Sequence, residues 1–323
     1  MISPDIRRIT LPEIRAARER IAGTVIRTPL VKLELGPEFP DIRLKLENLQ
    51  PINSYKLRGA ANAVALIPPA ERARGVWTIS AGNAGQGVAY AARKAGISCA
   101  VVVLETAPRA KLDRMRALGA TLIRAPVDVV WQAMGARAFP GMTGVFIHPF
   151  DDHDFITGHA TMGLEILEDA PYTSAVIAAV GGGGLLVGVG SAMKALKPDV
   201  RVIGVEPETG APAALSFACG SPQEFPDWTP TFVDGAGGRM MFPRMWERLQ
   251  PVADEFVVVT IDETTRALRM LAEKSRVIAE GAGALSLAAA LKRPADSGPI
   301  IAIVSGGNID MSVLTALLQN APA

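Results

Sequence analysis

SAVIAAVGGGGL, residues 174–185, joins a strand-like apolar run to four consecutive glycines, Gly181 to Gly184. A run that is apolar at every position is typical of a strand buried on both faces, as in a parallel sheet covered by helices. Successive glycines let backbone N–H groups converge on an anion, and a helix that begins near Leu185 adds the positive end of its dipole. The stretch therefore predicts an α/β fold with a phosphate-binding turn at a strand end.

Apolar runs of the same kind recur on both sides of the glycine turn. Helix-like stretches at 84–95, 108–118 and 127–138 separate them, whereas 207–250 has little periodicity and is expected to form loops. The alternation predicts an α/β fold of two lobes, each a twisted, mostly parallel sheet flanked by helices. We expect residues 1–74 and 150–323 to form a large domain and 75–149 a small one. The runs are GVWTIS (75–80), SCAVVVL (98–104), ATLIRA (120–125), GVFIH (144–148), AVIAAV (175–180), VRVIGVE (200–206), EFVVV (255–259) and PIIAIVS (299–305).

The composition argues against several classes of function. The formal net charge of +1 gives no reason to expect a nucleic-acid or anionic-membrane partner. No apolar run approaches the length that spans a bilayer, and the polar, helix-like stretch at 11–23 is unlike a signal peptide. Cys99 and Cys219 lie far apart and match no metal or redox spacing. We therefore expect a cytoplasmic protein with two reduced thiols.

Four segments of unusual composition follow or adjoin these runs. Ligands of open α/β sheets bind at the carboxyl ends of the strands, so these segments are the candidates for the site. Asn83 offers an amide donor in a second anion-friendly turn, with a capped helix start as the alternative. Lys56 becomes a nucleophile for carbonyls if burial or a neighbouring cation lowers its pKa, with a solvated charge as the alternative. The segments are Asn53–Gly59, Ser80–Gly87, Gly181–Leu185 and Ser305–Asn308.

Taken together, these segments resemble the motifs of fold-type II pyridoxal-phosphate (PLP) enzymes, specifically the serine/threonine dehydratase and serine racemase family. SYKLRGA at 54–60 is similar to the lysine motif of that family, and SAGN at 80–83 to its asparagine turn. GGGGL at 181–185 is similar to its glycine loop, and SGGN at 305–308 to its last motif. The motifs come in family order with family spacing, so the resemblance covers nearly the whole chain.

The resemblance implies a role for each motif. Lys56 would hold PLP covalently and later take the Cα proton of the substrate. Asn83 would bond the phenolic oxygen of the cofactor, and Ser305 the pyridine nitrogen. A hydroxyl cannot keep that nitrogen protonated as a carboxylate would, so the ring is a weaker electron sink, which favours elimination. The phosphate would be held by Gly181, Gly182, Gly183, Gly184 and Leu185. The large domain would then bind the cofactor and the small one would lie on the substrate side.

The implied activity is that of a lyase. A small β-hydroxy amino acid (L-threonine, L-serine or a relative such as hydroxyaspartate) would give a 2-oxo acid and ammonia. An amino-acid racemase or a β-replacement synthase of the same fold is the alternative. A nicotinamide-dependent oxidoreductase would leave Lys56 and Ser305 unexplained. We expect a homodimer or larger homo-oligomer and, because the chain ends soon after SGGNID, no C-terminal regulatory domain.

The residues on the substrate side depart from the family pattern. Ala81 stands where serine racemases carry a serine, so the group that would return a proton opposite Lys56 is missing. Asn53 stands where the family has glycine, and asparagine tolerates the left-handed backbone that such a turn requires. Arg137 or Arg239 would meet a second substrate carboxylate, with a solvated arginine as the alternative for each. The expected substrate-side set is Ser80, Ala81, Gly82, Asn83, Arg137 and Arg239.

We expect no metal site. In cation-binding relatives a glutamate that matches Glu206 is accompanied by an aspartate, and the matching position here is Pro212. The spacing of the histidines does not suit zinc either.

Overall fold

The computed structural model describes residues 6–107 and 109–319, and within these ranges the chain forms two β-sheets flanked by helices. This confirms the predicted α/β fold of two lobes. No helix in these ranges combines the length and the apolar character needed to cross a bilayer. The strands are β1 Leu30–Lys32, β2 Ile42–Leu46, β3 Val76–Ile79, β4 Cys99–Leu104, β5 Thr121–Ala125, β6 Val145–Phe146, β7 Ala175–Ala179, β8 Arg201–Pro207, β9 Glu255–Val259 and β10 Ile300–Val304. The helices are α1 Leu11–Ile21, α2 Lys56–Ala65, α3 Pro69–Arg72, α4 Asn83–Ala95, α5 Arg109–Ala117, α6 Val127–Ala136, α7 His153–Asp169, α8 Gly184–Leu196, α9 Pro212–Cys219, α10 Pro243–Leu249, α11 Ile261–Ser275, α12 Gly281–Ala290 and α13 Met311–Gln319.

The larger sheet has six strands in the order β1-β2-β10-β7-β8-β9. Five of them run parallel, and β1 pairs with β2 in the antiparallel direction at the edge. Along β10, Ile301 and Ile303 belong to one apolar cluster, whereas Ile300, Ala302 and Val304 belong to another. Successive side chains of a strand point to opposite faces, so both faces of this sheet are buried.

The smaller sheet has four parallel strands in the order β5-β4-β3-β6. Helix α6 covers the face that carries Trp77 and Ile79, and helices α4 and α5 cover the other face. Helix α2 also packs on the second face, because Ala60 and Val64 belong to the same apolar cluster as α4. The core beneath the small sheet therefore includes residues from outside the range 75–149.

Three of the candidate segments begin at the carboxyl ends of parallel strands. Ser80 follows β3, the glycine turn follows β7 after one residue, and Ser305 follows β10 directly. Lys56 is the first residue of α2. The fold thus puts three of the four segments at strand ends, as the sequence predicted, whereas the segment that contains Lys56 leads into α2 and does not directly follow a strand.

A buried cluster of charged side chains fixes α2 against the rest of the protein. Arg58 donates to both carboxylate oxygens of Glu47 and to both of Glu165, each at 2.8 Å. Lys45 donates to Glu165 at 2.6 Å and to the carbonyl of Thr28 at 2.7 Å. Burial alone would raise the pKa of Glu47, but the adjacent Arg58 holds it below its usual range. Strand β2, helix α2 and helix α7 are joined by these bonds.

The structure also contains elements that the sequence did not predict. β1 and β2 precede the first expected strand. The sequence of β2 is IRLKL, and its alternating charged residues are not typical of a strand that is buried, as this one is. Helices α9 and α10 lie within 207–250, where we expected loops. The helices expected near 84–95, 108–118 and 127–138 are confirmed as α4, α5 and α6, although Pro108 lies outside the described residues.

Replacing Arg58 with methionine should destabilise the fold strongly. The variant leaves the carboxylates of Glu47 and Glu165 buried without their guanidinium, which costs ~3–5 kcal/mol. Arg43→Met is the matched control, because its ion pair with Asp41 is partly exposed and such pairs contribute about 1 kcal/mol or less. Urea unfolding followed by circular dichroism measures both, and equal losses of stability would contradict a structural role for the buried cluster.

Candidate active site

Lys56 has its side chain in a poorly hydrated part of the molecule. Its Nζ donates to the carbonyl of Pro149 at 2.7 Å and lies 5.3 Å and 5.4 Å from the ring centres of Tyr55 and Phe155. The loss of water around the amine lowers the pKa of Lys56 to about 7. A large fraction of these amines is therefore uncharged near neutral pH, which is the form that attacks carbonyl groups.

The backbone joins the lysine segment to the segment that follows β10. The N–H of Tyr55 donates to the carbonyl of Ser305 at 3.0 Å, and that of Gly307 donates to the carbonyl of Asn53 at 2.9 Å. Ser54 forms an antiparallel bridge with Gly306 between these two bonds. Asn53 has a φ of 55°, so the turn before Lys56 adopts the left-handed conformation that asparagine was expected to tolerate.

The glycine turn has no room for side chains. A Cβ on Gly182 would lie 2.3 Å from Cγ of Phe150, and one on Gly181 would lie 3.1 Å from the carbonyl oxygen of Gly235. Gly183 has a φ of 85° and caps the N-terminus of α8. In the described part of the chain, none of the four glycine N–H groups donates to another backbone group. Unpaired donors at a helix N-terminus fit a phosphate.

Asn83, the first residue of α4, has both ends of its amide engaged. Its Nδ2 donates to Oε1 of Glu280 at 2.8 Å, and its Oδ1 accepts a bond of 2.8 Å from Nδ2 of Asn308. In the preceding turn, Oγ of Ser80 accepts from the N–H of Gly82 at 3.1 Å. These bonds connect the start of α4, beside the small sheet, to the segment after β10.

Glu280 is a residue of this site that sequence analysis missed. It is buried at the N-terminus of α12, and its Oε2 accepts from the N–H of Asn308 at 3.2 Å. A Cβ on Gly306 would lie 2.4 Å from its Oε1, so the carboxylate lies directly beside the residue after Ser305. A single glutamate before Gly-Ala-Gly is a weak signal in sequence, because nothing in that pattern marks it as buried.

Two cavities open from these segments and meet at Asp234 and Gly235. One, of about 270 Å³, contains the asparagine turn, and the other, of about 420 Å³, contains the glycine turn. Of the residues predicted for the site, the first cavity is lined by Ala81, Gly82 and Asn83, and the second by Gly181, Gly182 and Arg239.

Arg137 is not brought into this arrangement. Its guanidinium donates to Oδ2 of Asp151 at 2.6 Å and to the carbonyl of Asp151 at 2.7 Å. Asp151 is also bonded by Arg244 at 2.7 Å and Arg248 at 3.1 Å. Burial alone would raise the pKa of Asp151, but the three arginines hold it below its usual range. Arg137 thus takes part in an ion cluster beside the site and lines neither of the two cavities.

Arg239 remains at the rim of the glycine-turn cavity. Its guanidinium lies 4.4 Å from the ring centre of Trp228, and no described carboxylate forms an ion pair with it. Trp228 in turn donates from Nε1 to the carbonyl of Gly237 at 3.3 Å. Of the two arginines considered for a second substrate carboxylate, the structure leaves Arg239 available.

Two further buried side chains, His159 and Glu206, have shifted pKa values. His159, fully buried, lies against Tyr55 and Phe155 at ring-centre distances of 4.7 Å and 4.9 Å, and burial holds its pKa well below its usual range. Glu206 accepts from the N–H groups of Ala213 and Ala214 in the first turn of α9. Burial raises the pKa of Glu206 to about 8. Among the described residues, no group of three potential metal ligands occurs.

The residues present fit PLP. The glycine turn offers unpaired N–H donors where a phosphate would lie, and Lys56 offers an amine of lowered pKa for an aldehyde. Ser305 lies on the segment that the lysine turn contacts, and Asn83 is bonded to that segment through Asn308, so both could meet the polar atoms of the ring. An α/β fold with this site defines the class of PLP enzymes that carry their cofactor on a lysine at the strand ends.

The comparison with known proteins gives the same class. A model of the family described as pyridoxal-phosphate dependent enzymes matches residues 21–306. The chain belongs to this family and depends on PLP.

Several relatives align over nearly the whole chain. An L-threonine ammonia-lyase of Thermotoga maritima is 39% identical over 317 residues, which are 96% of this chain and 78% of the relative. A catabolic L-threonine dehydratase of Staphylococcus aureus is 33% identical over 97% of this chain and 92% of its own. The structure of maize serine racemase superposes with a TM-score of 0.87 at 31% identity, covering 96% of this chain and 97% of that one.

We expect borohydride reduction of the holoenzyme to fix the cofactor on Lys56, as peptide mapping would show. The rate at which apoprotein captures PLP should rise with pH through about 7, since the uncharged amine is the nucleophile. Absorbance after rapid mixing measures this rate. Lys56→Arg keeps a long basic side chain but should bind no cofactor covalently, because a guanidinium stays protonated and is not a nucleophile. A label on Lys45 or any other lysine, or a rate that rises only near the usual lysine pKa, would refute the assignment.

Gly182→Leu should weaken cofactor binding by roughly tenfold or more, because the side chain collides with Phe150 and displaces the N–H donors. Gly135→Leu is the matched control, since a Cβ on Gly135 meets nothing within 4 Å. Equilibrium dialysis against PLP gives both dissociation constants, and circular dichroism reports whether the fold is retained. Equal affinities in the two folded variants would show that the glycine turn only packs.

Proposed function

We propose that this enzyme eliminates water from a small β-hydroxy amino acid, and that hydrolysis of the resulting imine takes up one water and releases ammonia and a 2-oxo acid. L-threonine, L-serine and a hydroxyaspartate-like relative are the candidate substrates. The observation that carries the proposal is the position of Lys56, whose pKa is lowered. Its segment is bonded to Ser305, and its amine donates to the carbonyl of Pro149. The next residue, Phe150, lies against Gly182 of the glycine turn. The two curated relatives described above act on L-threonine according to their names.

Each part of the site has a distinct task in this proposal. Bound PLP supplies the electron sink that makes the substrate Cα–H acidic. The N–H groups of the glycine turn hold the phosphate, and Ser305 and Asn83 fix the ring. The uncharged amine of Lys56 accepts the Cα proton, for which a pKa near 7 is well matched. The turn Ser80–Asn83 lies on the substrate side and binds the substrate carboxylate through its N–H groups.

Elimination is favoured over racemisation by Ala81. Racemisation requires a second proton donor on the substrate face opposite Lys56, and a methyl group neither donates nor accepts a proton. Ala81 lines the asparagine-turn cavity, so its side chain is exposed to that space. A proton taken by Lys56 can then return to the same face or leave together with the β-hydroxyl.

The domain organisation and assembly belong to the same proposal. Residues 1–74 and 150–323 form the large cofactor-binding domain, and 75–149 form the small domain on the substrate side. Support comes from the small sheet, whose strands all lie between residues 76 and 146. We further propose a homodimer or larger homo-oligomer located in the cytoplasm, which agrees with two cysteines that form no disulfide.

Purified enzyme given L-threonine or L-serine should release ammonia and a 2-oxo acid, with little D-serine formed from L-serine. Ala81→Ser should raise the fraction of D-serine, because it introduces a hydroxyl that can return a proton. Ala136→Ser, on the exposed face of α6, is the matched control and should leave the product ratio unchanged. Coupled ammonia assay and chiral chromatography measure the products. Abundant D-serine from the unmodified enzyme would favour a racemase instead.

A further inference from the structure

A third cavity lies away from the PLP site. It has a volume of about 230 Å³ and lies between residues 6–9, one face of α8 and the end of α10. Much of its wall is apolar, with Ile6, Ile9 and Val252 among the lining residues. This volume suits a molecule of a few carbon atoms, since pockets for drug-sized ligands measure roughly 300–1,000 Å³.

The charged groups around this cavity are mostly positive. Arg7, Arg8, Lys194 and Arg248 line it, with Glu247 as the one carboxylate among the described lining residues. Arg7 and Lys194 have carboxylate partners, at 3.1 Å and 2.7 Å, outside the cavity wall. Arg8 is exposed and pairs with no described carboxylate. The field inside the cavity therefore favours an anion.

Arg248 is the least satisfied of these cations. It is 6% exposed, and its Nε donates to Oδ1 of Asp151 at 3.1 Å. Neither Nη1 nor Nη2 has a partner among the described residues, and of these two donors Nη2 is the one that is not sealed from solvent. A buried guanidinium presents several donors in a planar fork, and leaving them unpaired is costly. The guanidinium of Arg248 therefore lacks a hydrogen-bond acceptor that no described residue provides and that a ligand could provide.

We propose that this cavity binds a short-chain aliphatic carboxylate. A carboxylate accepts two parallel hydrogen bonds from a guanidinium, and a chain of three or so carbons would cover the apolar wall. Inorganic phosphate would satisfy the guanidinium but leave the apolar wall uncovered. Binding in this cavity does not require the reaction at Lys56, because none of the residues that line it also lines the other two cavities.

A bound carboxylate is linked to the active site through Asp151. An anion at Arg248 would bond to donors other than the Nε that Asp151 uses, but it shares the same positive charge and so weakens the attraction between Arg248 and Asp151. Asp151 comes after Pro149 and Phe150 in the chain. The carbonyl of Pro149 accepts the hydrogen bond from Lys56, and the ring of Phe150 lies against Gly182. Occupancy of the cavity is thereby transmitted to both ends of the cofactor site.

Butanoate is the probe, because it has no carbonyl able to react with Lys56. Calorimetry on the holoenzyme should show saturable binding with a dissociation constant on the order of millimolar. Butan-1-ol, which has the chain without the charge, should bind at least about tenfold more weakly. Binding should leave the absorbance of bound PLP in place, and it should change the KM for the amino-acid substrate without competing with it.

Two kinds of variant test the location. Arg248→Met removes the guanidinium. Ser191→Phe fills the cavity and keeps both partners of the Arg248–Asp151 ion pair, since the one hydrogen bond of the Ser191 hydroxyl among the described residues goes to the carbonyl of Val187. Each should weaken butanoate binding about tenfold or more, whereas Ser191→Ala should not. Absence of saturable binding, or equal binding in Ser191→Phe and Ser191→Ala, overturns the site. Equal affinity for phosphate and butanoate overturns the ligand class, and an unchanged KM overturns the link through Asp151.

Discussion

The guanidinium of Arg58, with no access to water, lies between the carboxylates of Glu47 and Glu165 and is bonded to all four of their oxygens. A buried charge tolerates no displacement from its partners, because an unpaired ion in a dry interior is far less stable than a paired one. The first residue of α2, Lys56, lies two positions away. The ion cluster of Arg58, Glu47 and Glu165 therefore fixes the start of α2 and with it the direction of the Lys56 side chain. The poorly hydrated surroundings of the amine lower its pKa.

From this anchor the active site is assembled by the backbone more than by side chains. The N–H of Tyr55 and the carbonyl of Ser305, and those of Gly307 and Asn53, hold the lysine turn against the end of β10. Glu280 and Asn308 then attach the asparagine turn to the same place through side-chain bonds. Backbone pairing defines the distances within the large sheet, and two polar side chains make the connection across to the small one.

The sequence predicted the parts of this molecule that depend on local pattern. Short, mostly apolar runs marked eight of the ten described strands, and four motifs marked the candidate site. β2 was missed because Lys45 is buried there, and the distant Glu165, together with the carbonyl of Thr28, makes that burial possible. Glu280, Arg244 and Arg248 were missed for the same reason, since their partners are far apart in the chain. Arg137 and Arg239 could be distinguished only after the structure showed that one of them already has a carboxylate.

The glycine turn has a consequence for how this protein tolerates mutation. Donors that belong to the backbone are present whatever the side chain, so no loss of a functional group can abolish this anion site. It can be damaged only by added atoms, and each position resists them differently. Gly182 is blocked by the ring of Phe150 and Gly183 by its φ of 85°, whereas a Cβ on Gly184 would make a tight contact of 3.1 Å with the carbonyl oxygen of Phe150. Even alanine, the smallest possible change, therefore obstructs Gly182 and strains Gly183, so few substitutions at the phosphate end of the site are neutral.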